Sequence, residues 1–293
     1  MTREPLTTYG VDSMVAPLRH VAMRRPGAIL SADPATWHYA RPIDPTAMQL
    51  QFEAFVGQLE AEGATVHWLE DTDDGLADSV FTYDPSFIIP AGAIILRPGK
   101  DLRLDEADLH RRFYEGLMPV VGAIEAPGTV EGGDCFWLDD KTIAVGRGYR
   151  TNQAGIEQLA AIVEPFGLSV EAYDMPHFRG PEACLHLLSV VNPLDSDLSL
   201  VYAPLVPVAL YERMRDAGYE LLHVPEDEFE ASAGLNLNVL TTAPRRCLAI
   251  AGFPKTAAQM QAAGCEVLTF EADELCLPCE GGPTCLTRPL HRG

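Results

Sequence analysis

Residues 45–70 read PTAMQLQFEAFVGQLEAEGATVHWLE, and in this stretch a helical pattern gives way to an extended one. Phe55 and Leu59 are four positions apart among other apolar residues, which indicates one buried face of a helix. Thr46 suits the N-cap of this helix, and Gly63 indicates its end. The β-branched and aromatic residues that follow predict a strand. The stretch is therefore a helix followed by a strand.

The same order of helix, short turn and strand recurs four more times along the chain. The further copies are in residues 105–127, 152–176, 208–226 and 255–272. Most of the strands lead through a polar loop into a β-hairpin, as in residues 87–99 and 135–148. An ordinary α/β protein also alternates helices with strands. The repetition alone leaves such a protein and a ring of repeats both open.

One polar residue in each loop falls at a nearly constant interval. These residues are Asp84, Glu131, His186, Asn236 and Cys285, separated by 47, 55, 50 and 49 positions. Such a period is typical of a ring of repeats in which every unit directs one loop at a common centre. Because no linker or low-complexity stretch divides the chain, we expect residues 1–293 to form a single domain.

The composition excludes several classes of function. The chain has 293 residues, 47% of them hydrophobic, and a formal net charge of −21, which repels nucleic acids and anionic membranes. The longest apolar run, residues 87–96, is too short to cross a bilayer. The start of the chain lacks the apolar region of a secretory signal. Since the seven cysteines follow no regular spacing, we expect reduced thiols in the cytoplasm.

The loop residues together contain a nucleophile, an acid/base and two carboxylates. Cysteine attacks as its thiolate, here Cys285, so it needs a lowered pKa or a nearby base. An imidazole such as that of His186 can protonate a leaving amine and later deprotonate a water molecule. Carboxylates bind planar guanidinium groups through paired hydrogen bonds. This set of groups indicates hydrolysis at a guanidine or amidine carbon.

Each of these residues also has a simpler interpretation. Glu131, in the motif EGGD, can belong to a plain turn, and His186 can be a core residue of an apolar strand. Cys276 and Cys279 form a CxxC pair, but no second ligand pair at zinc-site spacing accompanies it. The pair also precedes Gly-Gly-Pro rather than opening a helix, unlike a redox motif. We therefore predict no metal site.

Three motifs in this order resemble a known superfamily. They are EGGD…GRGYRTN in residues 131–152, LHL around His186, and GGPTCLT around Cys285. The chain resembles the guanidine-modifying penteins, and among them the dimethylarginine dimethylaminohydrolases, from about Val15 to its last residue. The resemblance implies an α/β fold, a five-bladed α/β propeller of ββαβ repeats with pseudo-fivefold symmetry. It also implies that no cofactor is needed.

The resemblance assigns roles to matching residues. Cys285 becomes the nucleophile, His186 the general acid/base, and Glu131 the residue that orients His186 and contacts substrate. Asp84 matches the aspartate that pairs with the guanidinium group.

A second group of matching residues concerns the other end of the substrate. Asp78 matches the residue that contacts the α-amino group, and Arg97 and Arg150 match the two arginines that hold the α-carboxylate. Two charged partners for a carboxylate imply a free amino acid rather than a peptide or agmatine.

The sequence departs from the family pattern at two positions. Tyr83 stands where dimethylargininases carry an acidic residue, which alters the expected guanidinium pocket. Leu188 stands where arginine deiminases and amidinotransferases carry an aspartate. Leucine leaves room for an N-methyl group and offers no ionic partner, which favours a methylated arginine.

The resulting hypothesis is a hydrolase that forms an S-alkylthiouronium on Cys285 and releases citrulline with methylamine or dimethylamine. An arginine deiminase or dihydrolase and an amidinotransferase remain alternatives on the same fold, and a binding protein without activity is a further one. The expected partner is a small arginine derivative, with neither nucleic acid nor membrane. The sequence leaves a homodimer open.

Overall fold

The structure, a computed structural model, describes residues 4–72, 74–183 and 185–293. The described chain alternates helices with short strands. The helices are α1 (Pro34–Trp37), α2 (Pro45–Ala61), α3 (Glu106–Tyr114), α4 (Gln153–Val163), α5 (Val208–Asp216), α6 (Glu226–Ser232) and α7 (Pro254–Ala262). None of the helices in the described ranges has the length and apolar character needed to span a bilayer.

The strands form five separate three-stranded sheets. In chain order, the strands are β1 (Leu18–Met23), β2 (Thr65–Trp68), β3 (Ser86–Ile89), β4 (Gly92–Ile95), β5 (Val120–Ala123), β6 (Cys135–Trp137), β7 (Thr142–Arg147), β8 (Ser169–Asp174), β9 (Val191–Asp195), β10 (Leu198–Val201), β11 (Glu220–His223), β12 (Leu240–Ala243), β13 (Arg246–Ile250), β14 (Glu266–Phe270) and β15 (Arg288–Arg292). The sheet orders are β15-β1-β2, β3-β4-β5, β6-β7-β8, β9-β10-β11 and β12-β13-β14.

Every sheet has the same internal plan. The middle strand pairs antiparallel with the first strand and parallel with the third. A helix connects the middle strand to the third: α2, α3, α4, α5 or α7. Parallel neighbours need such a crossover, whereas antiparallel ones need only a turn. The predicted α/β class and the ββαβ unit are therefore confirmed.

The predicted helix–strand stretches all appear, with one correction at a cap. Helix α2 begins after Asp44, whose Oδ1 accepts hydrogen bonds from the backbone N–H groups of Thr46 (2.9 Å) and Ala47 (3.1 Å). The expectation that Thr46 is the N-cap is wrong. Pro45 occupies the first helical position, where its missing N–H costs nothing.

Apolar burial holds helices against sheets. Helix α2 buries Phe52, Phe55 and Leu59, and the ring of Phe55 stacks on Phe270 of β14 with centroids 4.7 Å apart. Each fully buried side chain of this size contributes roughly 1.5–3 kcal/mol. All four residues of β3 are buried. Continuous rather than alternating burial is expected of a strand covered on both faces.

The two ends of the described chain meet in one sheet. Strand β15 pairs antiparallel with β1, with Leu18 opposite Arg292 and Ala22 opposite Arg288. The backbone N–H of Gly293 donates to the carbonyl of Pro17 at 2.9 Å. The first sheet is thus completed by the last strand.

Candidate active site

The loops that precede the first strands of the sheets contribute residues to one cavity. Asp84 precedes β3, His186 precedes β9 and Cys285 precedes β15. The cavity is lined by Trp37, His38, Tyr39, Asp78, Phe81, Asp84, Lys100, Arg103, Arg150, Glu182, His186, Cys279, Glu280, Gly281 and Cys285. Three predicted loop residues and two predicted substrate contacts therefore lie together.

Glu131 and His186 form a buried pair. The Nε2 atom of His186 lies 2.6 Å from Oε2 of Glu131, and Arg150 approaches the same carboxylate at 3.2 Å. Oε1 also accepts the backbone N–H groups of Gly99 (2.9 Å) and Lys100 (3.2 Å). Burial alone would raise the pKa of Glu131, but Arg150 and His186 outweigh it and hold that pKa below its usual range. The ionised carboxylate therefore accepts a hydrogen bond from the Nε2–H group and fixes the ring.

The glycines of the EGGD motif make room for the imidazole. A Cβ atom at Gly133 would lie 2.3 Å from Nδ1 of His186, and one at Gly132 would lie 2.2 Å from the carbonyl oxygen of Tyr83. Asp134 then accepts the backbone N–H of Leu187 through Oδ1 at 3.0 Å. The motif is a turn, as the simpler interpretation expects, and it also fits closely around His186.

Cys285 is half-buried and its sulfur accepts a side-chain hydrogen bond. Nδ2 of Asn238 lies 3.1 Å from Sγ, while Oδ1 of Asn238 accepts the backbone N–H of Thr284 at 3.1 Å. Burial and the nearby Asp84 carboxylate raise the pKa of the Cys285 thiol to about 11, although hydrogen bonds from Gly282 and Asn238 act in the opposite direction. A neutral thiol therefore predominates at neutral pH until a positive charge enters the cavity.

The fourth loop contributes Asn238, whereas the spacing of the loop residues selected Asn236. Asn236 is buried elsewhere: its Nδ2 donates to Oγ1 of Thr256 at 3.0 Å, and its backbone N–H donates to Ser232 at 3.0 Å. That selection is wrong. In the sequence LNLN the two asparagines alternate with leucines, so no local signal separates Asn236 from Asn238.

Asp84 already holds a guanidinium group. Its Oδ2 lies 2.6 Å from Nη1 of Arg103, and its Oδ1 accepts the backbone N–H of Gly133 at 2.8 Å. Arg103 also forms a bidentate pair with Glu106, with Nε–Oε1 and Nη2–Oε2 distances of 3.0 and 2.8 Å. Sequence reasoning missed Arg103. Its contact with Asp84 shows that this carboxylate binds a guanidinium group.

Asp78 lies between two donors that the sequence did not reveal. Tyr39 donates its hydroxyl to Oδ1 at 2.7 Å, and Nζ of Lys100 lies 2.6 Å from Oδ2. Burial and the adjoining Asp78 raise the pKa of Tyr39 far above its usual value, so the hydroxyl keeps its proton. Lys100 also donates to the carbonyl of Trp37 at 3.0 Å. Asp78 and Lys100 thus form an ion pair at the cavity wall.

The two predicted carboxylate-binding arginines lie in different places. Arg150 lines the cavity and contacts Glu131. Arg97 is absent from the lining, and its Nη1 is 3.4 Å from the carbonyl of Gly128. The structure thus brings Arg150 to the cavity but not Arg97, whose contact with the α-carboxylate stays a prediction. Lys100 and Arg103 are further cations in the lining.

The family model described as N,N dimethylarginine dimethylhydrolase, eukaryotic, matches residues 40–292. The chain belongs to the dimethylarginine dimethylaminohydrolase family. The dimethylarginine dimethylaminohydrolase of Streptomyces coelicolor is 32% identical over 276 residues, which cover 94% of this chain and 98% of that protein. An arginine deiminase of Mycobacterium avium is 28% identical over 99% of this chain and 81% of that protein.

The fold is shared with a solved member of the dimethylarginine dimethylaminohydrolase family. The Pseudomonas aeruginosa protein, a cysteine-to-serine variant complexed with citrulline, superposes with a TM-score of 0.76 at 24% identity. The match covers 92% of this chain and 98% of that one. The predicted resemblance to this family and to the penteins is confirmed, as is a hydrolase of amidine C–N bonds at the level of the family.

The two departures from the family pattern lie outside the cavity lining. Tyr83 is buried beneath Arg288, whose guanidinium carbon lies 3.6 Å from the ring centroid, and it lines a different cavity. The expectation that Tyr83 alters the guanidinium pocket is therefore wrong for its side chain. Leu188 is buried in an apolar cluster with Leu187 and Phe136, and it places no carboxylate in the site.

Three buried side chains have the spacing of metal ligands. Ligand atoms of Asp84, Glu131 and His186 all lie within 4.8 Å of one another. The two carboxylates are already bonded to the guanidinium groups of Arg103 and Arg150. A metal ion would have to compete with both fixed cations, so the donor set suits a metal poorly.

Proposed function

We propose that the protein is a cofactor-free thiol hydrolase of free arginine-type amino acids, with Nω-methylated arginine as the substrate and citrulline as a product. The observation that carries the proposal is the meeting of Cys285 and His186 in one cavity of a chain from this family, with Glu131 bound to the His186 ring from behind the lining. The six cysteines in the described ranges are free thiols, which suits a reducing cytoplasm.

The first half-reaction begins with the charge of the substrate. A guanidinium group bound beside Asp84 places a positive charge near the sulfur of Cys285, which lowers the thiol pKa and favours the thiolate. The thiol proton passes to His186, and the thiolate adds to the guanidinium carbon. The tetrahedral intermediate collapses as His186 protonates the departing amine, which leaves a covalent S-alkylthiouronium.

The second half-reaction uses the same imidazole in the reverse direction. After giving up its proton, neutral His186 removes a proton from a water molecule, and the resulting hydroxide attacks the thiouronium carbon. The C–S bond breaks, the Cys285 thiolate leaves, and the ureido product is citrulline. Glu131 stays ionised throughout and stabilises the imidazolium form of His186.

The Asp78–Lys100 ion pair supports recognition of the amino acid end. An α-amino acid carries one ammonium and one carboxylate, so it can exchange partners with this pair: Asp78 takes the ammonium and Lys100 the carboxylate. The backbone N–H of Lys100 binds Glu131. The Nζ atom of the same lysine binds Asp78. Since Cα and Nζ of lysine are separated by as many bonds as Cα and the guanidinium carbon of arginine, Lys100 spans a length similar to that of the substrate. Arg150 supplies a second cation for the carboxylate.

The choice of a methylated substrate rests on the family and on Leu188. A deiminase-like aspartate at that position would bind an unsubstituted guanidinium N–H₂, and leucine offers no such partner. The likeness to an arginine deiminase over nearly the whole chain keeps arginine deimination or dihydrolysis as the second candidate. Transfer of the amidino group to an amine is the third.

The arrangement of the sheets is part of the same proposal. We infer that the single domain is a five-bladed α/β propeller with pseudo-fivefold symmetry. Two observations support it: the repeated ββαβ plan of the five sheets, and the pairing of β15 with β1 that joins the first and last parts of the chain.

An assay of released amines tests the proposed reaction. Arginine, monomethylarginine, dimethylarginine and agmatine are supplied separately, and citrulline, ammonia, methylamine and dimethylamine are measured. We expect methylated arginines to be turned over fastest, with an advantage over arginine of about 10- to 200-fold for an apolar methyl contact. The Cys285→Ser variant should retain under about 1% of the rate because the residual catalysis lacks the nucleophile.

A second cysteine of the cavity provides a matched control for the loss of the nucleophile. Cys279 lines the same cavity, and the Cys279→Ala variant should stay active. Faster turnover of arginine than of the methylated arginines, with ammonia as the released amine, would assign the protein to the deiminase or dihydrolase class. Normal turnover by Cys285→Ser would remove the proposed mechanism.

A further inference from the structure

A second cavity lies directly behind the catalytic residues. Tyr83 and Thr284 line it, whereas the next residues along the chain, Asp84 and Cys285, line the active-site cavity. The backbone N–H of Tyr83 also donates to the carbonyl of Cys285 at 3.1 Å. The two cavities are therefore on opposite faces of the same two chain segments.

Two buried guanidinium groups line this second cavity. Arg288 is 3% exposed and Arg292 is 7% exposed. Within the described ranges neither has a carboxylate at ion-pair distance. Arg288 lies over the ring of Tyr83 and donates to its carbonyl oxygen, and Arg292 donates to the carbonyl of Ala16 at 2.7 Å. Buried charges are costly without a counter-charge.

Two buried N–H groups beside these charges have no hydrogen-bond partner. They are Nε of Arg288 and Nε1 of Trp137, and both residues line the cavity. Trp137 is itself 3% exposed. Buried polar groups in native proteins are nearly always hydrogen-bonded, so two adjoining orphan donors indicate an acceptor that is bound from solution.

The other polar groups of the wall do not supply that acceptor. Asn192 donates its amide to the carbonyls of Leu237 and Val239, and Thr241 donates its hydroxyl to Pro193. The lining contains no aspartate or glutamate. Burial and the neighbouring Arg288 lower the pKa of Arg292 to about 10, which is the direction expected of a buried cation without an anionic partner.

We propose that this cavity binds one small inorganic anion of about the size of chloride, held between Arg288, Arg292 and the indole N–H of Trp137. The cavity encloses about 20 Å³, and a cavity of about 10–15 Å³ accommodates one water molecule. There is room for a single ion and none for a nucleotide or a sugar phosphate. The anion offsets one of the two arginine charges and accepts hydrogen bonds from the two orphan N–H groups.

Crystals grown in sodium bromide test the site directly. Bromide is a heavier stand-in for chloride and is identified by its anomalous scattering. Bromide should be present throughout crystal growth, because the two arginines that would bind it are buried. We expect an anomalous peak between Arg288, Arg292 and Trp137 in the wild-type protein.

Two variants of different severity keep this test decisive. Arg292→Met should abolish the peak, and Trp137→Phe, which removes one donor and keeps the ring, should reduce its occupancy. Arg25→Met is the control, since Arg25 is an exposed arginine whose guanidinium carbon lies 3.9 Å from the ring centroid of Trp68. No peak in the wild-type crystals, or an undiminished peak in both variants, overturns the proposal.

Thermal unfolding supplies the solution measurement. At equal ionic strength, sodium chloride should give a higher Tm than sodium gluconate, because a ligand that binds only the folded state stabilises it. The difference should shrink in Trp137→Phe and persist in Arg25→Met. Equal Tm values in the two salts would mean an adventitious ion only, even with a bromide peak, and would also overturn the proposal.

Discussion

Gly133 illustrates how a residue without a side chain governs the catalytic geometry. The imidazole of His186 occupies the place where any Cβ at this position would be, at 2.3 Å from Nδ1. The carboxylate of Glu131 meets the other ring nitrogen at 2.6 Å. The ring is therefore positioned from two sides by one short motif.

The Gly133→Ala variant tests this positioning. Because an error of about 1 Å in a catalytic group costs about 100-fold, kcat should fall at least that far while the protein still folds. Gly57→Ala is the matched control: no atom lies within 4 Å of a Cβ there. Removing a glycine from the interior of α2 should raise the free energy of unfolding by about 0.5–1 kcal/mol without affecting kcat. Wild-type kcat in Gly133→Ala would show that the ring is positioned otherwise.

Asn238 makes a prediction about the reactivity of Cys285. Its N–H donor favours the thiolate, and a hydrogen bond to a charged group contributes about 1.5–3 kcal/mol. Since the pKa of Cys285 is about 11, the rate of its alkylation by iodoacetamide should increase as the pH is raised from 8 towards that value. Asn238→Ala should raise the pKa further and slow alkylation at pH 8 by about tenfold or more.

Mass spectrometry of the alkylated peptide gives the rate for Cys285 alone. Asn236→Ala is the paired control, because Asn236 bonds to Ser232 and Thr256 instead of the thiol. An equal effect of both substitutions would show that the loss is structural.

Lys100 makes a prediction about substrate class. If it binds the α-carboxylate, Lys100→Met should lower kcat/KM for arginine-type amino acids by about 30-fold or more, from the 2–5 kcal/mol of a broken buried charge pair. Agmatine has no carboxylate, so its kcat/KM should change little. Arg112 is exposed and outside the cavity lining, so the control variant Arg112→Met should leave the ratio of the two substrates as it is. A uniform loss on both substrates in Lys100→Met would contradict carboxylate binding.

At the scale of elements, the sequence predicts what is local. Helix–strand pairs can be predicted because their signals are close together in sequence. Apolar residues recur every three or four positions in a helix, and a glycine that ends the helix follows directly. His186 was harder to place: its apolar neighbours suggested a strand, yet it precedes β9 and Leu187 anchors the turn in the core. Periodicity identified the loops but not every side chain in them that faces the cavity.

The missed residues act over long separations in sequence. The ammonium of Lys100 reaches back 22 positions to Asp78, and the amide of Asn238 reaches 47 positions forward to Cys285. Neither contact has a local pattern, because each joins two loops that are far apart in sequence. For the same reason the direction of the Arg97 side chain was not predictable.

Helix α2 offers a prediction at this scale. Asp44 accepts two backbone N–H groups at the start of the helix, so Asp44→Ala should lower the free energy of unfolding by about 1 kcal/mol. Thr46→Ala should change it by less than about 0.5 kcal/mol, as is usual for an exposed position. Urea titrations of both variants measure the difference. A larger loss of unfolding free energy in Thr46→Ala than in Asp44→Ala would show that Thr46 is the N-cap.

At the scale of the whole molecule, the site is assembled from every sheet. The loops before β3, β6, β9, β12 and β15 supply, in that order, Asp84, Glu131, His186, Asn238 and Cys285. No two of these five residues precede strands of the same sheet. The distance from Glu131 to His186 is thus a measure of how two sheets are set against each other.

The pairing of β1 with β15 has a mechanical consequence. The strands are antiparallel, so the outer ends of both, Leu18 and Arg292, lie at the same end of the pair. Tension applied between residues 17 and 293 therefore opens the ladder like a zipper, one hydrogen bond at a time, instead of shearing all its bonds together. The strand that peels away directly follows Cys285. A weak pulling force in optical tweezers should therefore abolish the activity of the enzyme while the other four sheets remain folded.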